Sequence, residues 1–222
     1  MINHLERLQT KERRSLIKGF KARKICSDPY IVKIKKFVSD EEIDELMRLA
    51  KGKFEKSNVM IDGELKYDRM RTSSTAYITQ DGMPDNYGVL ENLIERVQYL
   101  TGCEREEIEG LMVVRYKYGE KFDAHVDYFK EDEIGMLDTG GQRLATFFIY
   151  MNSLHSDEGG ETEFTKLGIK VKPRKGDAIF FYNQDPKTKK MLLDTMHRGN
   201  PVTKEGVVKY GCNLWVRSSS FY

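Results

Sequence analysis

The chain has 222 residues, of which 39% are hydrophobic, 11% aromatic and 32% charged. This length suffices for one domain with a substantial core, and the apolar share excludes intrinsic disorder. The formal net charge of +2 excludes a nucleic-acid binder that relies on bulk electrostatic attraction. We therefore expect a soluble globular domain with no nucleic-acid partner.

The first 24 residues carry eight Lys or Arg against two Glu. Four aliphatic residues in this segment follow one helix face loosely, namely Leu5, Leu8, Leu16 and Ile17. We predict a basic helical extension over residues 1–25 and a single domain over residues 26–222. The pattern leaves two roles open, a solvated helix packed on the domain or an arm that binds a membrane surface or a partner.

Cysteine usage and hydropathy indicate the cellular compartment. Cys26, Cys103 and Cys212 form no CxxC pair and leave an odd thiol, which is typical of a reducing environment. No apolar run resembles the core of a signal peptide or is long enough to span a bilayer. The sequence therefore predicts a cytoplasmic protein without a membrane span, and it leaves the oligomeric state open.

The first elements of the domain have clear local signals. The alternating run YIVKIKKFV predicts a strand, and Ser39 with Glu42 predicts a capping box that opens the helix DEEIDELMRLAK. Residues 58–80 are polar and predict a loop that includes KYDRMRTSSTAYI. Pro84 to Leu100 predicts a second helix, with Gly102 as its C-terminal cap.

The second half of the chain is rich in short β-like runs that are separated by Gly, Pro, Asn and Asp. They are LMVVRYKY, KFDAHVDYF, RLATFFIYM, IKVKP, DAIFFY and YGCNLWVR. Two helices followed by at least six strands, with no βαβ alternation, indicate the α+β class. We predict helices covering one face of an antiparallel sandwich or barrel.

Two histidines and one carboxylate suggest a metal site. In FDAHVDYF, the period of a strand places His125 and Asp127 on one face. An HxD triplet is common by chance, so His197 in TMHRGNPV is needed to complete a set, although taken alone it is more typical of a surface or hydrogen-bonded histidine. Two imidazoles and one carboxylate leave three positions open on iron(II), whereas catalytic zinc sites usually leave one.

The last predicted strand has two different faces. One face of KYGCNLWVR carries Lys209, Gly211, Asn213, Trp215 and Arg217, and the other is apolar. If the first face lines a cavity, Lys209 can pair with a carboxylate. An exposed strand face is the alternative.

An ordered set of motifs resembles the prolyl 4-hydroxylase family, and specifically its short microbial or viral type. The motifs are RMRTSS, RYKYGEKFDAHVDYF, GGQRLATFFIYMN, EGGETEF, PRKGDAIFF and HRGNPVTKEGVVKYGCNLWVR, and the resemblance spans roughly Pro29 to Arg217. It implies a double-stranded β-helix, or jelly-roll, with His125, Asp127 and His197 as the iron(II) ligands. It also implies 2-oxoglutarate and dioxygen as cosubstrates and ascorbate as reductant.

The resemblance further implies which residues bind the cosubstrate. Lys209 would bind the C5 carboxylate of 2-oxoglutarate, with Tyr116 and Thr146 hydrogen-bonded to the same molecule, although both could be plain core residues. Trp215 and Arg217 would support the site from behind the ligands.

Lys204 competes with Lys209 as the anchor, because the segment between His197 and Lys209 is longer than in short family members. Lys204 precedes Gly206 in a predicted turn, whereas Lys209 lies on a predicted strand, so we favour Lys209.

The substrate implied by the resemblance is a prolyl residue in a peptide or protein. Tyr67, Arg69, Arg71, Tyr128 and the segment NQDPKTKKMLLDT are the predicted contacts at the rim. The same chemistry on free proline, on a lysyl residue or on another amino acid stays open, as does a non-catalytic metal-binding jelly-roll. Family members that act on lysyl residues tend to carry Arg at the anchor, which disfavours that branch.

Overall fold

The computed structural model of the chain describes residues 20–61, 64–78, 88–130 and 133–220. Most of the predicted basic extension therefore lies outside the described residues. Its last part is not helical, because Lys21–Cys26 form strand β1 and pair with the next strand. In residues 21–26, backbone hydrogen bonds to β2 at the edge of the sheet outweigh the weak helical pattern of the extension.

Three helices are described, and the third was not predicted. They are α1 (Asp40–Ala50), α2 (Gly88–Thr101) and the short α3 (Ile134–Asp138). The capping box is confirmed, since Ser39 N donates to Glu42 Oε2 at 2.8 Å and Glu42 N donates to Ser39 Oγ at 3.2 Å. Gly102 follows α2 with a φ of +72°, a left-handed conformation that suits glycine. The predicted start of α2 at Pro84 lies outside the described residues.

Two antiparallel sheets make up the body of the fold. In spatial order, the larger sheet contains β1, β2 (Ile31–Lys35), β12 (Ala178–Tyr182), β9 (Arg143–Tyr150), β14 (Lys209–Arg217), β7 (Leu111–Tyr116), β6 (Ser74–Ile78) and β3 (Glu55–Lys56). The smaller sheet contains β11 (Ile169–Val171), β10 (Thr162–Phe164), β13 (His197–Gly199) and β8 (Phe122–His125). A separate hairpin joins β4 (Val59–Ile61) to β5 (Glu64–Lys66).

Alternation along the strands divides the core into two layers. On β9, Phe147 packs towards the helices, where it joins Leu46 of α1 and Leu93 of α2 in one cluster. Its neighbour Phe148 points to the opposite side, where an inner cluster that includes Phe164 of the smaller sheet fills the space between the sheets. The predicted α+β jelly-roll with helices on one face is confirmed.

The predicted loop over residues 58–80 is wrong in part, since it contains β4, β5 and β6. Strand β6 pairs with β7 over its whole length, with Ser74 opposite Arg115 and Ile78 opposite Leu111. The Ser and Thr residues at the start of β6 gave this strand the composition of a polar loop in the sequence.

Within the described part of the chain, no helix is both long enough and apolar enough to cross a membrane.

Leu46→Ala tests the layer between the helices and the larger sheet. Leu46 is fully buried, so truncation leaves a cavity and we expect a loss of about 2–5 kcal/mol in the free energy of unfolding. Urea denaturation measures it, with Leu65→Ala, an exposed leucine on β5, as the control. A loss below about 1 kcal/mol would contradict this packing.

Candidate metal and cosubstrate site

Strand pairing brings the predicted metal ligands together. His197 on β13 lies directly opposite His125 at the end of β8, so the ring centroids are 4.4 Å apart. Asp127 lies just beyond the end of β8 rather than on the strand. Its Oδ1 is 3.6 Å from His125 Nε2, and its Oδ2 is 3.9 Å from His197 Nε2. One potential ligand atom from each residue lies within 4.8 Å of the other two.

Backbone carbonyls orient both imidazoles. His125 Nδ1 donates to the carbonyl of Asp123 at 2.8 Å, and His197 Nδ1 donates to that of Thr195 at 3.0 Å. A carbonyl can only accept, so each Nδ1 carries a proton, and the neutral ring keeps its lone pair on Nε2. Burial, with His197 as the next contribution, lowers the pKa of His125 to about 3. The ring is therefore neutral at physiological pH, which is the form that binds a metal.

Asp127 is held by two donors from the larger sheet. Thr146 Oγ1 donates to Asp127 Oδ2 at 2.7 Å, and Trp215 Nε1 donates to the same oxygen at 3.0 Å. Burial acts to raise the pKa of Asp127, but the two histidines, Arg143 and the Thr146 hydrogen bond outweigh it and hold the pKa well below its usual range. Two imidazoles and one ionised carboxylate would leave three positions open on a metal, a donor set that fits iron(II).

Thr146→Val and Trp215→Phe each remove one donor to Asp127 without touching the ligand atoms. We expect each change to weaken metal binding about 10- to 100-fold, since such supporting hydrogen bonds usually have that effect. Titration with cobalt(II), followed by absorbance, measures it. Thr162→Val is the control, because this buried threonine lines the same cavity and bonds Tyr150 instead. Metal affinity unchanged in both variants would contradict the role of these donors.

The ligand set opens into a cavity of about 840 Å³, which also contains the side chain of Lys209. Lys209 is only 1% exposed, and its Nζ lies 5.1 Å from the ring centroid of Tyr116, 5.3 Å from that of Phe148 and 5.9 Å from that of Tyr150. Burial lowers the pKa of Lys209 to about 7, although Glu161 acts in the opposite direction. A buried ammonium among aromatic rings suits a carboxylate ligand.

Two residues shape this end of the cavity. Gly211 leaves room for the Phe148 ring, because a Cβ at this position would lie 2.3 Å from Phe148 Cζ. Tyr116 lines the cavity beside Lys209, and burial raises the pKa of its hydroxyl. Thr146 also lines the cavity, but its hydroxyl donates to Asp127, a contact that was not predicted.

The competing anchor, Lys204, lies elsewhere. Its side chain is about half exposed, and its Nζ is 3.6 Å from carboxylate oxygens of both Asp157 and Glu158. The structure therefore places Lys209, and not Lys204, in the cavity.

A buried ion cluster stands behind Trp215. The Arg143 guanidinium lies 3.6 Å from the Trp215 ring centroid, and its Nε donates to Glu109 at 2.7 Å. Arg217 is fully buried and donates to Glu109 at 2.7 Å, as well as to the carbonyls of Met136 and Thr139. Trp215 thus donates a hydrogen bond to Asp127 directly. Arg217 does not contact Asp127 in this way; it binds Glu109, which in turn holds Arg143 against the Trp215 ring.

Sequence reasoning missed Glu109 and Arg143. Their only signal is a charged residue at the start of an otherwise apolar run, in EGLMVV and QRLATFF.

The predicted rim residues divide into two groups. Arg71 and Tyr128 line the cavity, and the Arg71 guanidinium lies 4.7 Å from the Phe122 ring, which in turn stacks on His125 at 3.6 Å. Tyr67 and Arg69 are exposed and lie outside the cavity lining, as does the predicted loop over residues 183–195.

Comparison with known proteins agrees with the fold. The model of the 2OG-Fe(II) oxygenase superfamily matches residues 111–217, which include the ligand set and Lys209. The solved structure of the viral collagen prolyl hydroxylase of Paramecium bursaria Chlorella virus-1, a 2-oxoglutarate complex, is similar with a TM-score of 0.66 and 31% identity. That similarity covers 87% of this chain and 98% of the viral one. Fold and site therefore define a 2-oxoglutarate-dependent dioxygenase that uses iron(II).

Sequence relatives narrow the class to a family. Probable prolyl 4-hydroxylase 4 of Arabidopsis thaliana is 32% identical over 90% of this chain and 72% of its own length. Probable prolyl 4-hydroxylase 6 of the same plant is 35% identical over 84% of this chain and 68% of its own length. The chain belongs to the prolyl 4-hydroxylase family, as the motifs predicted.

Proposed function

We propose that this chain hydroxylates prolyl residues of a peptide or protein at C4. In this reaction, 2-oxoglutarate and dioxygen are consumed and succinate and carbon dioxide are released, with one oxygen atom entering the succinate and the other the proline. The observation that carries the proposal is one cavity in which the ligand set and the buried Lys209 face the same space. This arrangement allows a single dicarboxylate to reach the metal with one end and the ammonium with the other.

His125, Asp127 and His197 would hold the iron through Nε2, a carboxylate oxygen and Nε2. Bound iron(II) supplies the activation of dioxygen and the oxidative decarboxylation of 2-oxoglutarate, with ascorbate restoring iron(II) after uncoupled turnover. Lys209 would bind the C5 carboxylate, and the rings around it exclude water, which strengthens the charge pair. We assign no general base, because the reacting C–H bond is broken by the oxidant and not by a protein group.

The test is succinate release with iron(II), 2-oxoglutarate and ascorbate, with and without a proline-rich peptide. We expect the peptide to stimulate succinate release and to gain one oxygen atom per hydroxylated proline by mass. The same peptide with Ala in place of every Pro is the control. His125→Ala should abolish all turnover.

Other outcomes would assign the site differently. Stimulation by free proline or a lysyl peptide, but not by the proline-rich peptide, would replace the substrate while keeping the chemistry. Iron binding with no succinate under any condition would indicate a non-catalytic metal-binding jelly-roll. A cytoplasmic location, and a choice among collagen-like repeats, proline-rich proteins and translation factors, stay predictions for cell-based experiments.

A further inference from the structure

The hairpin formed by β1 and β2 carries cations directly opposite one another. In the register of the pair, Lys21 lies opposite Lys35 and Arg23 lies opposite Lys33. Ile34, which comes between the two lysines of β2, is buried in the cluster on the helix side of the larger sheet. Alternation therefore places all four cations on the other side of the hairpin, and we call these four side chains the basic face.

Little negative charge balances the basic face. Lys33 forms an ion pair with Asp177 at 3.0 Å. Lys21, Arg23 and Lys35 are exposed and form no ion pair with another residue in the described part of the chain. Protection of a sheet edge accounts for cations on β1, but not for the two on β2, because β2 lies between β1 and β12. Like charges directly opposite one another destabilise a strand pair, so the hairpin retains a repulsion that an anionic partner would relieve.

The sequence concentrates positive charge at this end of the chain. Residues 1–36 contain eleven Lys or Arg and three Asp or Glu, whereas the whole chain contains 37 and 35. The first 36 residues therefore have a net charge of +8, and the remaining 186 have a net charge of −6. Such an asymmetry indicates an anionic partner that attracts one end of the molecule and repels the rest.

An anionic lipid surface fits this end of the chain better than a nucleic acid or an acidic peptide. Residues 1–19 place four aliphatic side chains among five Lys or Arg, namely Leu5, Leu8, Leu16 and Ile17. This mixture is typical of segments that lie at a membrane interface. A nucleic acid or an acidic peptide would attract the cations but offers no hydrocarbon for the aliphatic side chains. We propose that the basic face, together with this segment, binds the surface of a membrane that contains anionic lipids.

Binding through the basic face leaves the catalytic cavity accessible. Strand β6 lies six positions from β1 in the larger sheet, which is about 29 Å at the usual spacing of about 4.8 Å between strands. Tyr77 on β6 lines the cavity and is 62% exposed, so the cavity is open at the end of the sheet away from the hairpin. Repulsion between the lipids and the negatively charged remainder of the chain favours the same orientation.

Co-sedimentation of the full chain with phosphatidylcholine vesicles, with and without about 30% phosphatidylserine, tests the proposal. We expect binding only to the vesicles that contain phosphatidylserine, and release at about 1 M salt, where charge interactions are screened. Lys21→Gln combined with Lys35→Gln should weaken the apparent affinity about 10- to 30-fold, since each cation near such a surface contributes about fivefold. Lys21→Arg combined with Lys35→Arg should retain the wild-type affinity, because the charge is kept.

Lys51→Gln combined with Lys53→Gln is the matched control, because both lysines are exposed and precede β3 at the opposite edge of the larger sheet. This variant loses the same two charges and should bind as the wild type does. An equal loss in both Gln variants, equal binding to vesicles with and without phosphatidylserine, or no binding at all would overturn the proposal. Retention on polyglutamate without binding to anionic vesicles would also overturn it, and would assign the basic face to an acidic protein. Binding is measured without iron or cosubstrate, so the result is independent of the proposed function.

Discussion

Asp127→Asn should reduce peptide-dependent succinate release to the assay background, a loss of at least about 1000-fold, or about 4 kcal/mol in activation free energy. The two donors on Oδ2, Thr146 and Trp215, make this near-isosteric change severe. If the amide oxygen accepts from them, the NH₂ group faces the metal. If the amide is flipped, its NH₂ group meets the Trp215 N–H, which can only donate. In either orientation, the negative charge that balances iron(II) is gone.

Two measurements separate this effect from misfolding. Cobalt(II) titration should show that Asp127→Asn has lost metal affinity, while its thermal unfolding in the absence of metal stays cooperative. Asp123→Asn is the matched control, because Asp123 lies nearby on β8 and its carboxylate binds Lys121 Nζ at 2.6 Å and 2.8 Å. Only the backbone carbonyl of Asp123 contacts His125, and this carbonyl is unchanged. Wild-type metal affinity in Asp127→Asn would refute the assignment.

Lys209→Met should raise the KM for 2-oxoglutarate about 100-fold while Lys204→Met leaves it unchanged. Truncating one partner of a buried charge pair typically costs about 2–5 kcal/mol, and 100-fold corresponds to about 3 kcal/mol. Binding of iron should be nearly unaffected, since Lys209 is not one of the ligands and its Nζ lies among aromatic rings. An equal rise in the KM for 2-oxoglutarate in both variants, or a rise only in Lys204→Met, would contradict the assignment of Lys209 as the residue that binds the C5 carboxylate.

The same lysine predicts a pH dependence. Burial lowers the pKa of Lys209 to about 7 in the protein without cosubstrate, and only the protonated form attracts a carboxylate. The KM for 2-oxoglutarate should therefore be flat below about pH 7 and rise above it, by up to about tenfold per pH unit. Lys209→Met should lack this rise. A KM that is independent of pH between 6 and 9 in the wild-type protein would contradict the shift.

The folding stability of the protein without cosubstrate should also depend on pH. It should increase over the pH range in which binding of 2-oxoglutarate weakens. The folded pKa of Lys209 lies below its unfolded value of 10.5, so between about pH 7 and pH 10.5 the unfolded chain binds more protons than the folded one. Stability contributed by this group therefore rises with pH across that window. Relative to Lys209→Met, wild type should gain stability as the pH rises from 7 to 9, measured by urea denaturation at each pH.

Much of the site could be predicted because its signals are local. The alternation on β14 separated Lys209 and Trp215 from an apolar face, and in the structure these two side chains line the cavity while Cys212 and Leu214 are buried on the helix side. The capping box of α1 was equally readable, because Ser39 and Glu42 are three residues apart. Such patterns report backbone conformation and burial, which depend on neighbours in sequence.

The contacts that complete the site depend on pairing between distant segments. His197 meets His125 because β13 pairs with β8, and the three-residue strand β13 is too short to have a periodic signal. Thr146 donates to Asp127 only because β9 passes beneath the ligand set, and Glu109 is buried only because Arg143 and Arg217 surround it.

At the rim of the cavity, too, some features could be predicted from local sequence and others depend on tertiary structure. Tyr67 and Arg71 belong to one polar segment, and nothing local distinguishes the exposed Tyr67 from Arg71 in the cavity wall. Strand β6 was hidden in that segment, so Tyr77 could not be placed at all from the sequence. The order of residues determines which side of a strand each side chain occupies. Long-range packing determines what lies opposite that side, and it therefore decides which polar groups come together in a site.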